Sequence, residues 1–373
     1  MTEKPYKICI FASFSGQGGV ERMIVNLCRG LASRGCQLDL VLVKSQSVHI
    51  ANLPKGVRVI KLKANHTLGS IFELARYLRR QRPSALLAAK ERAGRAAIAA
   101  RFLAGGKTRL VVRIGTTLSA ALEGKSAWRK WAWYAPMRLI YPHIDGVAAV
   151  SQGVAEDLCR ITGLPRERFR VIPNPVITPR LAEEAAEALD HPWFLEKKIP
   201  VVVGVGRLTR QKDFPTLIRA FARVRKERPC RLLILGDGQD KGKLEALISE
   251  LGLKSEVRLE GFVSNPYKFL RKADLFVLSS AWEGSPNVLT EALALGVPVV
   301  ATDCPSGPRE ILAGGTVAPL VPVGDEKSLA AAILETLTHP PEPKKLIEAA
   351  APYNLENSSR QYLEILMGRN TVG

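Results

Sequence analysis

Residues 283–300 read Glu-Gly-Ser-Pro-Asn-Val-Leu-Thr-Glu-Ala-Leu-Ala-Leu-Gly-Val-Pro-Val-Val. Pro286 and Asn287 open a helix in this run, asparagine being a favourable cap. Gly296 closes it, because glycine takes the left-handed closing turn at no steric cost. Pro298 starts the next apolar run. Loop, helix, turn and strand make one step of an α/β repeat.

The step recurs on either side. Apolar runs lie at Val201–Val205, Leu232–Leu235, Val257–Leu259, Leu275–Leu278, Val299–Ala301 and Val317–Leu320, most with a helical stretch after them. The first half repeats the pattern at Ile8–Ala12, Leu38–Val43, Val57–Lys61, Ala85–Ala89, Leu110–Val112, Gly146–Val150 and Arg170–Ile172. Helices are predicted from about Val20 to Ser33 and near Ile71–Arg82. Such alternation predicts parallel sheets with helices on both faces. Residues 173–199 break the rhythm with Pro173, Asn174, Pro175 and Pro179 and run into the aperiodic stretch His191–Pro200; this region is the predicted linker. The expected fold is two doubly wound, Rossmann-like α/β domains, 1–178 and 179–354, facing across a cleft. A last helix, about 355–373, is expected to pack back on the first domain. A length of 373 residues suits two domains.

Ligands of such sheets bind beyond the carboxyl ends of the strands, so the strand-to-helix loops are the places to search. Glu283 precedes the helix opened by Asn287, and Glu291 falls about one turn inside it. The first-turn amides of Asn287, Val288 and Leu289 can hold a phosphate, with one carboxylate before that site and one behind it. A second loop, Gly204–Asp213, carries Arg207 and Lys212 after Gly206. Arginine presents a fork to two phosphate oxygens and lysine a mobile point charge. The pair can therefore neutralise a diphosphate without a metal, and no cofactor is expected. Gly236-Asp237-Gly238 and Gly261-Phe262-Val263 end two further strands, where backbone groups at Gly236, Phe262 and Val263 can read a base, or simply turn the chain. In the first half, Gly16-Gln17-Gly18-Gly19-Val20-Glu21 opens a helix after the first strand. It fits an anion site at Gly18 and Gly19 and equally a tight turn. It is not a dinucleotide fingerprint, because Glu21 stands where the last glycine belongs.

Charge is unevenly placed. Residues 1–178 hold 29 Lys and Arg against 10 Asp and Glu; the remainder holds 25 of each, so the first half carries the whole net charge of +19. Arg76, Arg79, Arg80, Arg82, Lys90, Arg92, Arg95 and Arg101 crowd one stretch. Another sets Lys125, Arg129, Lys130 and Arg138 among Trp128, Trp131, Trp133, Tyr134 and Tyr141. Aromatic and basic residues together suit an anionic membrane surface, and they also suit nucleic acid. No nucleic-acid module is recognised, and a neutral second half with paired glutamates would go unexplained. Six cysteines without a metal-ligand spacing imply a reducing compartment. The run Ile8–Phe11 is too short for a signal peptide, and nothing approaches the ~20 apolar residues of a membrane span. The expected location is cytoplasmic, peripheral to the inner membrane face.

With these motifs in view, the chain resembles the retaining family-4 glycosyltransferases of the GT-B fold. The resemblance rests on the Gly-Gly-Val-Glu loop, on Gly206-Arg207 with Lys212, on Glu283 with Glu291, and on the stretch Asp303–Leu312, which is similar to members that build surface polysaccharides and lipid-linked oligosaccharides. It implies a nucleotide-sugar donor, commonly a uridine diphosphate sugar, and a glycan or lipid-linked acceptor. Arg207 and Lys212 would hold the diphosphate, Glu283 the sugar hydroxyls and Glu291 the ribose, with the Gly18–Gly19 amides pressing in from the other domain. Many relatives carry a histidine in the loop after the strand matching Leu110–Val112. Here that loop reads Arg113-Ile114-Gly115-Thr116, so Arg113 and Thr116 are the candidates on the acceptor side. An epimerase on the same fold is the enzymatic alternative.

Overall fold

In a computed structural model, residues 6–14, 16, 18–196 and 199–369 are described. The chain divides into two units. One comprises residues 1–175 and 354–373, the other 176–353.

The first unit is built on seven strands: β1 (Lys7–Phe14), β2 (Gln37–Ser45), β3 (Arg58–Lys61), β4 (Ala85–Ala88), β5 (Arg109–Ile114), β6 (Gly146–Ala149) and β7 (Phe169–Val171). They lie in the order β3-β2-β1-β4-β5-β6-β7, and every pairing is parallel. Side chains alternate along a strand, so one sheet feeds two cores. Cys9 and Phe11 face the core closed by helices Ile71–Gln81, Glu91–Leu103, Ala127–Ile140 and Gln152–Thr162. Ile8, Ile10 and Ala12 face the core closed by helices Gly19–Ala32 and Leu355–Met367. The last helix supplies Tyr362, Ile365 and Leu366 to that core. A Cβ on Gly30 would stand 2.6 Å from the Ser359 Cβ, so the two helices meet at backbone range. Arg34 donates to the Glu356 carbonyl (2.9 Å) and Arg109 to that of Ile365 (3.0 Å).

Beneath the sheet's opposite core, buried Asp39 accepts from Arg58 Nε (2.8 Å) and the Tyr77 hydroxyl (2.6 Å). Burial alone would raise this carboxyl, but the bonds to Arg58 and Tyr77 outweigh it and hold it below the usual carboxylate range.

The second unit has six strands: β8 (Val201–Val205), β9 (Arg231–Leu235), β10 (Val257–Gly261), β11 (Leu275–Leu278), β12 (Val299–Thr302) and β13 (Leu320–Val321), ordered β10-β9-β8-β11-β12-β13 and all parallel. Val202 and Ile234 face a core shared with helix Phe214–Glu227; Val203 and Leu235 face one shared with helix Asn287–Ala294.

Three expectations change. The break falls at 175/176 rather than 178/179. The stretch 179–196 is not an open linker: helix Pro179–Ala185 buries Leu181 and Ala185 in the second unit's core, and His191 is buried against Phe194 and Phe269. The strand expected at Val317–Leu320 is only the two-residue β13. Proline spacing marked the region but could not tell a tether from a wrapped segment. All six cysteines are free, and all but the half-buried Cys159 are buried.

Candidate active site

In the second sheet, β8 is flanked by β9 on one side and β11 on the other, with consecutive strands running away from it in both directions. The loops after β8 and β11 therefore lead to helices on opposite faces, which opens a crevice between them at the strands' carboxyl ends. Arg207 and Lys212 lie on the first loop and Glu283 on the second.

The two loops are fastened together. The Ala281 amide donates to the Gln211 carbonyl (2.8 Å), and Gln211 Nε2 donates to that of Trp282 (3.1 Å). The Ser279 hydroxyl donates to the Lys212 carbonyl (2.8 Å). Lys212 Nζ then reaches Glu283 Oε1 at 2.6 Å, and the buried Ser280 hydroxyl reaches the same oxygen at 2.7 Å. Arg207 stands exposed on the loop, outside this bonded cluster.

Glycine is required under this arrangement. Gly236 has φ of +147°, and a Cβ there would lie 1.9 Å from the Gly206 carbonyl oxygen. A Cβ on Gly206 would meet Lys212 Cε at 2.8 Å, so the lysine stem lies directly over it. The Gly236 amide also donates to the Gly261 carbonyl (2.7 Å), which brings the loop after β10 into the group, with Phe262 exposed and Val263 half-buried.

Helix Asn287–Ala294 starts beside Glu283. Pro286 holds the cap position and Asn287 is the first helical residue, which corrects the expectation of an asparagine cap. Val288 and Leu289 point into the core, so only their backbone can meet a ligand. The Leu289 amide donates to the Pro286 carbonyl (3.1 Å). Glu291 is 2% exposed, and its Oε1 accepts from the Tyr267 hydroxyl at 3.3 Å. Tyr267 had no distinguishing sequence signal, nor did the Ser279–Ser280 pair, since hydroxyls after a strand are commonplace.

In the first unit, Gly18 caps helix Gly19–Ala32 and its Cβ position lies 3.3 Å from Glu21 Oε2. Gln17 lies outside the described residues. Glu21 is buried, with Lys90 Nζ 4.0 Å away. Arg113 overturns an expectation. It is 3% exposed, lies under Gly115, and donates to Asn174 Oδ1 (2.8 Å), with Tyr362 beside it. Burial lowers the pKa of its guanidinium. It is an interior residue rather than an acceptor contact, because the strand's alternation turns it inward. Thr116 remains half-buried on the loop.

Two family models cover both units: Glycosyltransferase Family 4 over residues 17–180, and Glycosyl transferases group 1 over residues 186–352. The lipopolysaccharide core biosynthesis glycosyltransferase LpsE of Rhizobium meliloti is 30% identical over 334 residues, 86% of each chain. The chain belongs to the family-4 glycosyltransferases.

Among other relatives of this family-4 glycosyltransferase is the N-acetylgalactosamine-N,N'-diacetylbacillosaminyl-diphospho-undecaprenol 4-alpha-N-acetylgalactosaminyltransferase of Campylobacter jejuni. It is 35% identical over 225 residues, 60% of this chain and 59% of that one. An uncharacterized glycosyltransferase of Methanocaldococcus jannaschii is 44% identical over 149 residues, 39% of this chain and 37% of its own. The chain thus spans less than two thirds of these two relatives. The structure of Anabaena HepE in complex with UDP-glucose superposes with a TM-score of 0.77 at 20% identity, covering 97% of this chain and 99% of that one, which shows the shared GT-B fold. With these relatives, neither an epimerase nor a nucleic-acid-binding protein is the favoured alternative.

Proposed function

We propose that this protein transfers a sugar from a nucleotide diphosphate sugar, with a uridine diphosphate sugar favoured, to a glycan or lipid-linked acceptor in cell-surface polysaccharide or lipopolysaccharide assembly. The observation that carries it is the fastened pair of loops at the sheet's switch point, with Lys212 on Glu283 beside a helix N-terminus. Lys212 and Arg207 would meet the diphosphate and stabilise it as it leaves; the helix amides add positive field. No metal is then needed. Glu283 would meet the sugar hydroxyls, Glu291 the ribose, and the backbone at Gly236, Phe262 and Val263 the base. Transfer would retain the anomeric configuration, the departing phosphate taking the acceptor's proton. The names of the Rhizobium and Campylobacter relatives support the acceptor class. A panel of nucleotide sugars, scored by thermal shift and hydrolysis with and without chelator, tests the donor. The anomeric proton coupling of the product tests retention. Metal-dependent chemistry or an inverted product would overturn the respective part.

The first unit would hold the protein against the anionic, cytoplasmic face of the membrane. Helix Ala127–Ile140 carries Trp128 and Trp131, 68% and 59% exposed and stacked at 5.2 Å between centroids. Arg92 and Arg95 lie over the Trp133 ring at 5.4 and 5.0 Å, tying this helix to its basic neighbour Glu91–Leu103. Exposed Leu139, Arg129 and Arg138 share the helix. Among the described residues no helix is long and apolar enough to cross a membrane. Each basic side chain at such a surface contributes about 1 kcal/mol, screened within about 8 Å at physiological salt. Sedimentation with anionic and neutral liposomes, beside duplex and single-strand binding, is the test; binding to nucleic acid without binding to anionic liposomes would end this part of the proposal.

A further inference from the structure

Two consecutive serines follow β11, and both are buried. A buried hydroxyl needs a partner, and each of these has one in the candidate site. Ser279 holds the main chain of Lys212; Ser280 holds the side chain of Glu283. Ser280 is itself anchored from the next strand, where the fully buried Thr302 donates to the Ser280 carbonyl at 2.6 Å. A line of hydroxyls thus runs from β12 through Ser280 to the Glu283 carboxylate.

Glu283 Oε1 has two donors in this state, Lys212 Nζ and Ser280 Oγ. They differ in kind. Lysine is a flexible point charge, and on the reading above it turns to the donor diphosphate. The ion pair to Glu283 is then weakened just when the carboxylate must be in place. Ser280 has no such second duty: its carbonyl is held by the Thr302 hydroxyl of β12. We propose that Ser280 is a positioning residue, the partner that keeps Glu283 aimed at the donor sugar once Lys212 engages the phosphates. A misplacement of a positioned group can cost about 10²-fold. Losing this one donor should cost less, on the order of 10-fold.

This inference rests on the donor-site reading, and the test separates the two. The substrate is whichever nucleotide sugar the unmodified protein hydrolyses fastest in the panel, and the second ligand is the matching nucleoside diphosphate alone. Glu283→Gln is measured first. If it leaves turnover untouched, the donor-site reading fails. If turnover falls, Ser280→Ala should lower kcat roughly 10-fold while nucleoside diphosphate affinity and the melting temperature stay near those of the parent. The hydroxyl acts only through Glu283, so the double variant Ser280→Ala/Glu283→Gln should be no slower than Glu283→Gln alone. Ser280→Cys, which keeps a weak donor, should recover part of the loss. A Ser280→Ala variant as fast as the parent would overturn the inference. So would losses that multiply in the double variant together with weakened diphosphate binding, since that pattern marks general loosening of the loop.

Discussion

The two units use one plan in opposite ways. Each is a parallel sheet whose strand order runs outward in both directions from its first strands, β1 beside β4 and β8 beside β11. In the second unit the loops at that point are fastened to each other by backbone, hydroxyl and charged bonds, and the unit as a whole is electrically neutral. In the first unit, Lys90 Nζ lies 4.0 Å from Glu21 at the corresponding place, and the whole excess of positive charge lies on this half of the chain. On the proposed function, the difference separates tasks. A ligand of fixed chemistry suits a rigid, pre-paired pocket; a large anionic surface needs only spread charge and a few amphipathic anchors.

The strongest way to break this contrast is at the fastened loops. Lys212→Ala or Arg207→Ala should lower turnover by roughly 10²–10³, because each removes a donor aimed at developing charge. Full activity in either would remove the diphosphate assignment.

Next comes stability in the charged unit. Asp39→Asn should cost roughly 2–3 kcal/mol at pH 7, the value of hydrogen bonds to a charged group. The folded carboxyl lies below its ordinary 3.8. Its contribution is therefore full above that pH and is lost as pH falls through the lower folded value. Urea melts of parent and variant should converge at low pH; a gap that stays constant throughout would refute the linkage.

Smaller still is the surface effect. Arg129→Gln together with Lys130→Gln should weaken binding to anionic liposomes by about 10–30-fold, consistent with about 1 kcal/mol per side chain, and leave nucleotide-sugar binding unchanged. Loss of both would mean that the two units do not divide the work. Smallest of all, Trp128→Ala should change folding stability by under about 0.5 kcal/mol, as exposed positions do. A large drop in melting temperature would show that the stacked tryptophans are held inside another surface.

Much of this was legible in the sequence for a physical reason: periodicity and capping are local. The strand–helix alternation, the Gly206–Lys212 loop and the Glu283–Glu291 spacing are all contained within single steps of the repeat. What was not legible depends on partners far along the chain. Arg113 reads as a loop cation until Tyr362 and Asn174 close over it. Residues 179–196 read as a tether until Phe269 receives His191 and Phe194. Helix Ala127–Ile140 shows its aromatics in the sequence, but which of them face out follows from Met137 and Tyr141 being buried. Ser280 has no pattern at all; its interest comes only from the 2.7 Å to Glu283.

The helix Leu355–Met367 belongs to the first unit although the whole second unit intervenes. During synthesis the second unit is therefore continuous and can close as soon as it emerges, whereas the first waits with one wall of a core missing. At about 5–20 residues per second, the ribosome needs roughly 10–40 s to travel from the end of β7 to that helix. Through that interval the nascent first unit lacks Tyr362, Ile365 and Leu366 from the core that they share with Val111 and Ala148. The half of the protein made first is the half finished last.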